Sequence, residues 1–280
     1  VPSVPSVPLK TNTNMHSFSL TPVSAVRSWI VVLLLVCRWC SGTTQAQTAD
    51  EVARQIAAIN AEQTQRYQEE LKSLPKPDPQ SKASVDVYSQ LGDAEVFLGN
   101  AARAEEHYRQ MVVLDPALEA SHWRLGIACF LADHPQAGAA QFEKYHSFDS
   151  VDRENGIWRY FCHYRASGKA AAREQLLRYE KDDRPPFREV YQLFQGTMTA
   201  EQVLQAANGG EERNRASRQF YSHLYIGLNA SLEGDTATAV RSLQQATLNS
   251  WPQNAGYGPR YMWQVGRLEL NRIQKAGRER

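Results

Sequence analysis

Residues 85–116 read VDVYSQLGDAEVFLGNAARAEEHYRQMVVLDP, and this stretch decides the fold. Its marks are Tyr88, Leu91, Gly92, Gly99, Ala104, Tyr108, Met111 and Pro116. Thirty-four residues further on stand His122, Leu125, Gly126, Asp133, Gly138, Phe142, Tyr145 and Ser150. Leu91 and Gly92 thus return as Leu125 and Gly126, and Tyr108 returns as Phe142. A self-similarity of this length is the mark of a stacked helix–turn–helix unit. The physical basis is interhelical packing. Gly92 and Ala104 let the two helices of one hairpin approach closely, while Tyr108 and Met111 fill the gap to the next hairpin. Gly99 and Asn100 make the turn, where positive φ is cheap.

This spacing of small and large residues identifies tetratricopeptide repeats (TPR), and it predicts an all-α right-handed superhelical solenoid. The pattern extends in both directions. Residues 47–73 (from ADEVARQIAAINAEQTQRYQEELKS) predict a long amphipathic N-terminal helix. Pro75, Pro77 and Pro79 make residues 74–84 a linker. Two clear units and a degenerate third, marked by Trp158, Phe161, Tyr164, Gly168, Ala172, Leu176 and Tyr179, occupy residues 85–181. Residues 182–218 break the pattern at DDRPP and hold short helices expected over 187–194 and 200–207, with Thr199 as an N-cap and Gly209 with Gly210 as a stop. Residues 219–280 carry a last unit, FYSHLYIGLNASLEGDTATAVRSLQQATLNSW, with Gly227, Gly234, Asp235, Ala239 and Leu243 at consensus places. Residues 261–273 then close the array as a capping helix.

The last unit and the following YMWQVGRLEL resemble the final repeat and closing helix of the NlpI-type bacterial envelope lipoproteins. The similarity covers roughly residues 155–272, and more loosely everything from Val85. It rests on packing residues, so no binding residue carries over. It implies an adaptor of the cell envelope that binds proteases and peptidoglycan hydrolases and brings them together.

The N-terminus is expected to be a leader, residues 1–46. Arg27 precedes an apolar run, WIVVLLLVC over residues 29–37, of the length of a signal-peptide core and short of a bilayer span. Thr44 and Ala46 suit a signal peptidase cutting after Ala46, which would place the mature protein outside the cytoplasm, periplasmic or envelope-associated. A buried strand or an uncleaved anchor is the competing reading. Membrane attachment would require an uncleaved leader or a lipidated Cys37, yet Val36 is larger than the residue lipoprotein enzymes accept there. Cys129 and Cys162 are expected as small core residues, with a bridge between them as the alternative.

Charge and chemistry narrow the function. A formal net charge of +1 supplies no general attraction for nucleic acid, whose phosphates dominate binding. The cluster Arg213, Arg215 and Arg218 reads as a solvated helix face. The pair Cys162 and His163 points in directions about 100° apart on a helix and reads as packing rather than a metal site. Ser222 and His223 lack a nucleophile elbow. The residues therefore predict no enzyme, cofactor or metal, but a scaffold that binds other proteins and could pair as a homodimer, with a structural homo-oligomer assembled through the N-terminal helix, or an enzyme with an unrecognised site within 182–218, as alternatives. In such arrays ligand contacts fall on the first helix of each hairpin: here Asp86, Ser89, Asp93 and Val96, then Ala120, Trp123, Ile127 and Phe130. The expected groove, with Asp86, Ser89, Asp93, Trp123, Ile127 and Phe130 as its named contacts, is apolar and aromatic with an acidic flank, suited to an amphipathic helix or an extended peptide. The competing expectation is that Trp123 and Phe130 pack against the helix over 49–73.

Overall fold

The computed structural model describes residues 48–181 and 183–278, and these residues are helical with no strand among them. The leader, its apolar run, Cys37 and the cleavage site lie outside the described residues. The helices are α1 (Ala49–Ser73), α2 (Val85–Leu98), α3 (Ala101–Leu114), α4 (Trp123–Leu131), α5 (Pro135–Phe148), α6 (Arg153–Glu174), α7 (Phe187–Gln195), α8 (Ala200–Asn208), α9 (Arg215–Glu233), α10 (Thr236–Leu248), the short α11 (Trp251–Asn254) and α12 (Tyr257–Arg278).

Three hairpins share one construction. In α2–α3 the face of Gly92 lies against the Tyr108 ring, so a Cβ there would overlap it. In α4–α5 a Cβ on Gly126 would sit 2.7 Å from Phe142, and in α9–α10 one on Gly227 would sit 2.6 Å from Leu243 Cγ. Each large residue follows its glycine by sixteen places. Seven places after each glycine the chain turns through the left-handed region, at Gly99 (φ 87°), Asp133 (φ 62°) and Gly234 (φ 80°). Twelve places after it stands a buried small residue, Ala104, Gly138 or Ala239. Tyr108 therefore works inside its own hairpin as well as toward the next, where its ring lies 5.1 Å from that of His122.

The degenerate third unit also folds back on itself. Residues 153–174 are two helical segments joined at Gly168, whose φ of 84° and ψ of 172° are not helical. The returning segment lies against the first: Arg159 donates to the Gln175 carbonyl, Tyr179 donates to the Asp152 carbonyl at 3.0 Å, and a Cβ on Gly156 would sit 2.5 Å from Tyr179 Oη. Tyr160 stands where the other hairpins have their tight glycine, and its ring stacks on Phe194 of α7 at 5.0 Å. Thr199 caps α8 through a reciprocal capping box with Gln202, as its position predicts. Among the three arginines, Arg213 and Arg215 are solvated and paired with Glu211 and Glu212. Arg218 departs from expectation. It is buried, and it ties α9 to the end of α8 by donating to the Ala207 and Gly209 carbonyls. Cys129 and Cys162 are buried free thiols, with burial pushing the Cys129 thiol up to about 12.

The closing helix is longer than expected and reaches further. It begins at Tyr257 because α11 and a left-handed Gly256 (φ 110°) shorten the preceding loop. It packs along α10, and it also reaches α2, as α1 reaches both α2 and α10. Tyr261, Met262, Trp263, Val265 and Leu270 are all buried, each worth roughly 1.5–3 kcal/mol of transfer free energy. A polar clamp fixes this helix. Arg267, 2% exposed, donates to Gln264 Oε1 at 2.7 Å, Asn60 Oδ1 at 2.9 Å and the Phe97 carbonyl at 2.6 Å. Gln264 in turn donates to Gln63 Oε1 at 2.6 Å and Tyr67 Oη at 3.2 Å. One buried cation thus joins α1, α2 and α12 through neutral acceptors.

Candidate functional site

The six groove residues separate into three groups. Asp86 is exposed at the start of α2. Ser89 and Asp93, one and two turns further along α2, are engaged by the protein itself. Arg124 on α4 donates through Nη1 to Ser89 Oγ at 2.9 Å and Asp93 Oδ1 at 2.8 Å. Tyr108 and Tyr257 donate to the two Asp93 oxygens at 2.6 and 2.5 Å. Ile127 and Phe130 belong to the core, at 0% and 5% exposure. Phe130 faces Trp158 and Phe161 of α6 at 5.6 and 6.3 Å, and the Arg165 guanidinium lies 3.7 Å over its ring. As surface contacts these two are corrected: the first segment of α6, which carries Trp158, Phe161 and Arg165, covers that end of α4. Val96 is buried as well.

Trp123 is half-buried. Its ring meets Tyr261 edge-on at 4.9 Å and Tyr257 at 6.1 Å. Neither competing expectation describes this. The element lying against Trp123 is α12, while α1 packs on α2, so two of the chain's own helices occupy the place expected for a partner. Sequence pattern offered no means of telling that a helix packed on the last hairpin also reaches the first.

Beside Trp123 lies a cavity of about 190 Å³. Its walls are Trp123 on α4, Phe142 and Tyr145 on α5, Asp152, Glu154, Asn155 and Trp158 at the start of α6, Arg184, and Gly258 and Met262 of α12. Local sequence explains the polar half. Asp152 caps α6, accepting from the Glu154 N–H at 3.0 Å, so Glu154 and Asn155 follow within the first turn. Arg184 reaches back to pair with Glu154 at 2.6 Å, Asp183 at 3.1 Å and Asp152 at 3.8 Å. Tyr225 on α9 donates to Glu154 Oε1. Burial pushes the Glu154 carboxyl up to about 7 despite Arg184, and burial raises Asp152 in the same sense. Two buried groups stand without a hydrogen bond: the Asn155 carboxamide, through both its oxygen and nitrogen, and the Trp158 Nε1–H. Asn155 is 3% exposed and Trp158 1%.

Sequence reasoning singled out Trp123 but passed over Glu154, Asn155 and Arg184. The only available signal was Asp152 followed by Arg-Glu-Asn at a helix start, which by itself reads as a solvated cap. Among the described residues no helix is long and apolar enough to cross a membrane. No protein-family model matches the chain, and no curated protein matches its sequence.

Proposed function

We propose that this chain is a protein-binding scaffold of the tetratricopeptide-repeat type, exported to the bacterial envelope, where it brings proteases or peptidoglycan hydrolases together. The observation that supports the repeat reading is the threefold recurrence of one packing unit. A tight glycine is followed at seven places by a left-handed residue, at twelve by a small one and at sixteen by a large one. Units of this kind bury their faces only against neighbours, and the surfaces they leave bind other chains. The envelope reading rests on the leader and on the similarity over residues 155–272. Cleavage after Ala46 would leave whole the capping box in which Thr48 and Glu51 satisfy each other's backbone N–H at 2.8 and 3.3 Å.

Two measurements test this. Immobilised protein incubated with envelope extract should retain a protease or hydrolase, and Trp123→Ala should retain several-fold less while still folding. An equal yield from both would remove Trp123 from the binding surface. N-terminal sequencing of the exported protein should start at Gln47. A chain still carrying residue 30 would sink the export reading.

A further inference from the structure

The first turn of α12 occupies the place that the repeat pattern reserves for a ligand. The Tyr257 hydroxyl donates to Asp93 Oδ2 at 2.5 Å and accepts from Arg124 Nη1 at 2.9 Å. Its ring lies 6.1 Å from that of Trp123, and the Arg124 guanidinium lies 5.5 Å over it. Tyr257 thus covers Asp93 and Trp123, two of the expected groove contacts, while remaining 41% exposed itself. This turn is also the part of α12 that is least costly to release. Tyr261, Met262, Trp263, Val265 and Leu270 are buried, and the Arg267 clamp holds the same stretch. Neither hold includes residues 257–260. The chain enters the turn through Gly256 at φ 110°, which glycine adopts freely, and a Cβ there or at Gly258 would meet nothing within 4 Å. The first N–H groups of any helix lack intrahelical partners, and Pro259 has none to lose. Release strands no polar group either. Asp93 Oδ1 keeps Arg124 at 2.8 Å and Tyr108 at 2.6 Å, and Arg124 keeps Ser89 at 2.9 Å. Asp93 Oδ2 and the Tyr257 hydroxyl pass to water, so no buried group is left unsatisfied.

We infer that residues 257–260 are a displaceable self-ligand, and that a bound polypeptide replaces Tyr257 with a tyrosine of its own. The contacts of Tyr257 define the occupant. An aromatic ring lies against Trp123 and under Arg124, and its hydroxyl donates to Asp93. A phenylalanine would leave Asp93 Oδ2 without that donor, and the Arg124 guanidinium beside it disfavours a lysine ammonium. While the turn is closed, the groove is unavailable, and a partner's apparent affinity falls by the fraction of molecules that are open. That the partner is a polypeptide rests on the protein-binding reading above, whereas release of the turn does not.

Titrations of the full chain, followed by nuclear magnetic resonance, keep the two apart. The probe is a synthetic peptide of residues 253–260, QNAGYGPR. It should bind Tyr257→Ala at least about tenfold more tightly than the unaltered chain, the factor expected if the turn is closed about nine-tenths of the time. Tyr257→Phe, which keeps the ring and loses both hydrogen bonds, should shift affinity in the same direction. A peptide with phenylalanine in place of its tyrosine should bind Tyr257→Ala about tenfold less well, because the bond to a charged acceptor is lost. Tyr257→Ala should melt within about 4 °C of the unaltered chain. Equal binding by the unaltered chain and both variants, or binding to none of them, would overturn the inference. So would a much larger fall in melting temperature, which would make the turn a structural part of the fold. In envelope extract, Tyr257→Ala should retain several-fold more protein than the unaltered chain. Gated peptide binding with nothing retained from extract would leave the self-ligand standing and remove the protein-binding reading.

Discussion

His122 and Glu154 carry opposite debts to burial, and the sign of each can be read in a pH titration of stability. The His122 imidazole is pushed down to about 3 by burial and then by Arg124, and its Nδ1 accepts from the Leu125 N–H at 3.2 Å as the cap of α4. A depressed basic group of this kind contributes stability that is present above its ordinary value near 6.5 and is lost as pH falls toward 3. Glu154 lies above its ordinary 4.5, at about 7. Its contribution is fully present below 4.5 and is lost as pH rises through 7, on the order of 3 kcal/mol over that window. The two effects overlap and oppose each other between pH 4.5 and 6.5, so variants must separate them. Denaturant melts from pH 4 to 8 should show that Glu154→Gln removes the loss on the alkaline side, and that His122→Asn, which still caps, removes the loss on the acid side. An unchanged profile for Glu154→Gln would show that this carboxyl is solvated. Asp133 offers a simpler case. It is exposed and holds a left-handed turn at φ 62° where the equivalent hairpins use glycine, so Asp133→Gly should stabilise by about 0.5–1 kcal/mol.

At the scale of elements, the contact between paired helices depends on glycines that a single methyl group would wedge apart. Gly126→Ala places its Cβ 2.7 Å from the Phe142 ring. It should cost about 1–3 kcal/mol in a melt, since overpacking forces side chains from their rotamers, and Phe142→Leu should recover part of that loss. The position of α12 depends on Arg267. Burial pulls its guanidinium down to about 10, still charged at neutral pH, and its partners are carbonyl and amide oxygens. Arg267→Met leaves Phe97 O, Asn60 and Gln264 without that donor, at about 1–3 kcal/mol for each unsatisfied group. The expected result is a large drop in stability with accelerated hydrogen exchange in α1 and α12, the two helices the clamp joins to α2. Exchange confined to α12 would place the clamp's role in one helix alone.

For the molecule as a whole, α12 changes how the hairpins cooperate. In an open array each unit touches only its neighbours, and stability is close to a sum of nearest-neighbour terms. Here α12 lies against both α2 and α10, and α1 does likewise, so the first and last hairpins share two helices. The full chain should therefore unfold in one denaturant transition seen alike by far-ultraviolet circular dichroism and tryptophan fluorescence. A chain ending at residue 256 should lose that coincidence, with its hairpins unfolding at different denaturant concentrations and with Phe97, Tyr108 and Trp123 newly exposed. Coincident transitions in the shortened chain would show that the hairpins cooperate without α12.

The helical class, the hairpin spacing and the turn positions were set by local requirements, and they were legible without coordinates. Gly92, Gly126 and Gly227 must face large side chains, Gly99 must turn left-handed, and Thr199 must cap. Each of these demands falls within one or two helices, so residue order alone expresses it. The third unit was legible as a repeat whose register slips: Gly168 turns left-handed one place later than its equivalents, and Tyr160, in the place of their tight glycine, stacks on Phe194, a contact 34 residues apart. Trp123 could be named in advance because its place in the hairpin directs it away from that hairpin's own core. What lies over it could not, since α12 carries an apolar stripe suited equally to capping the last hairpin or lying along the first. The tertiary structure shows both: α12 packs on α10 and also reaches α2, held there by the Arg267 clamp to Asn60 and Phe97, partners 207 and 170 residues distant. The cavity behind Trp123 arose in the same way. Glu154, Asn155 and Arg184 are ordinary polar residues at a helix start and in a loop, and only the packing of α4, α5, α6 and α12 around them brings acids and aromatic faces to a common wall.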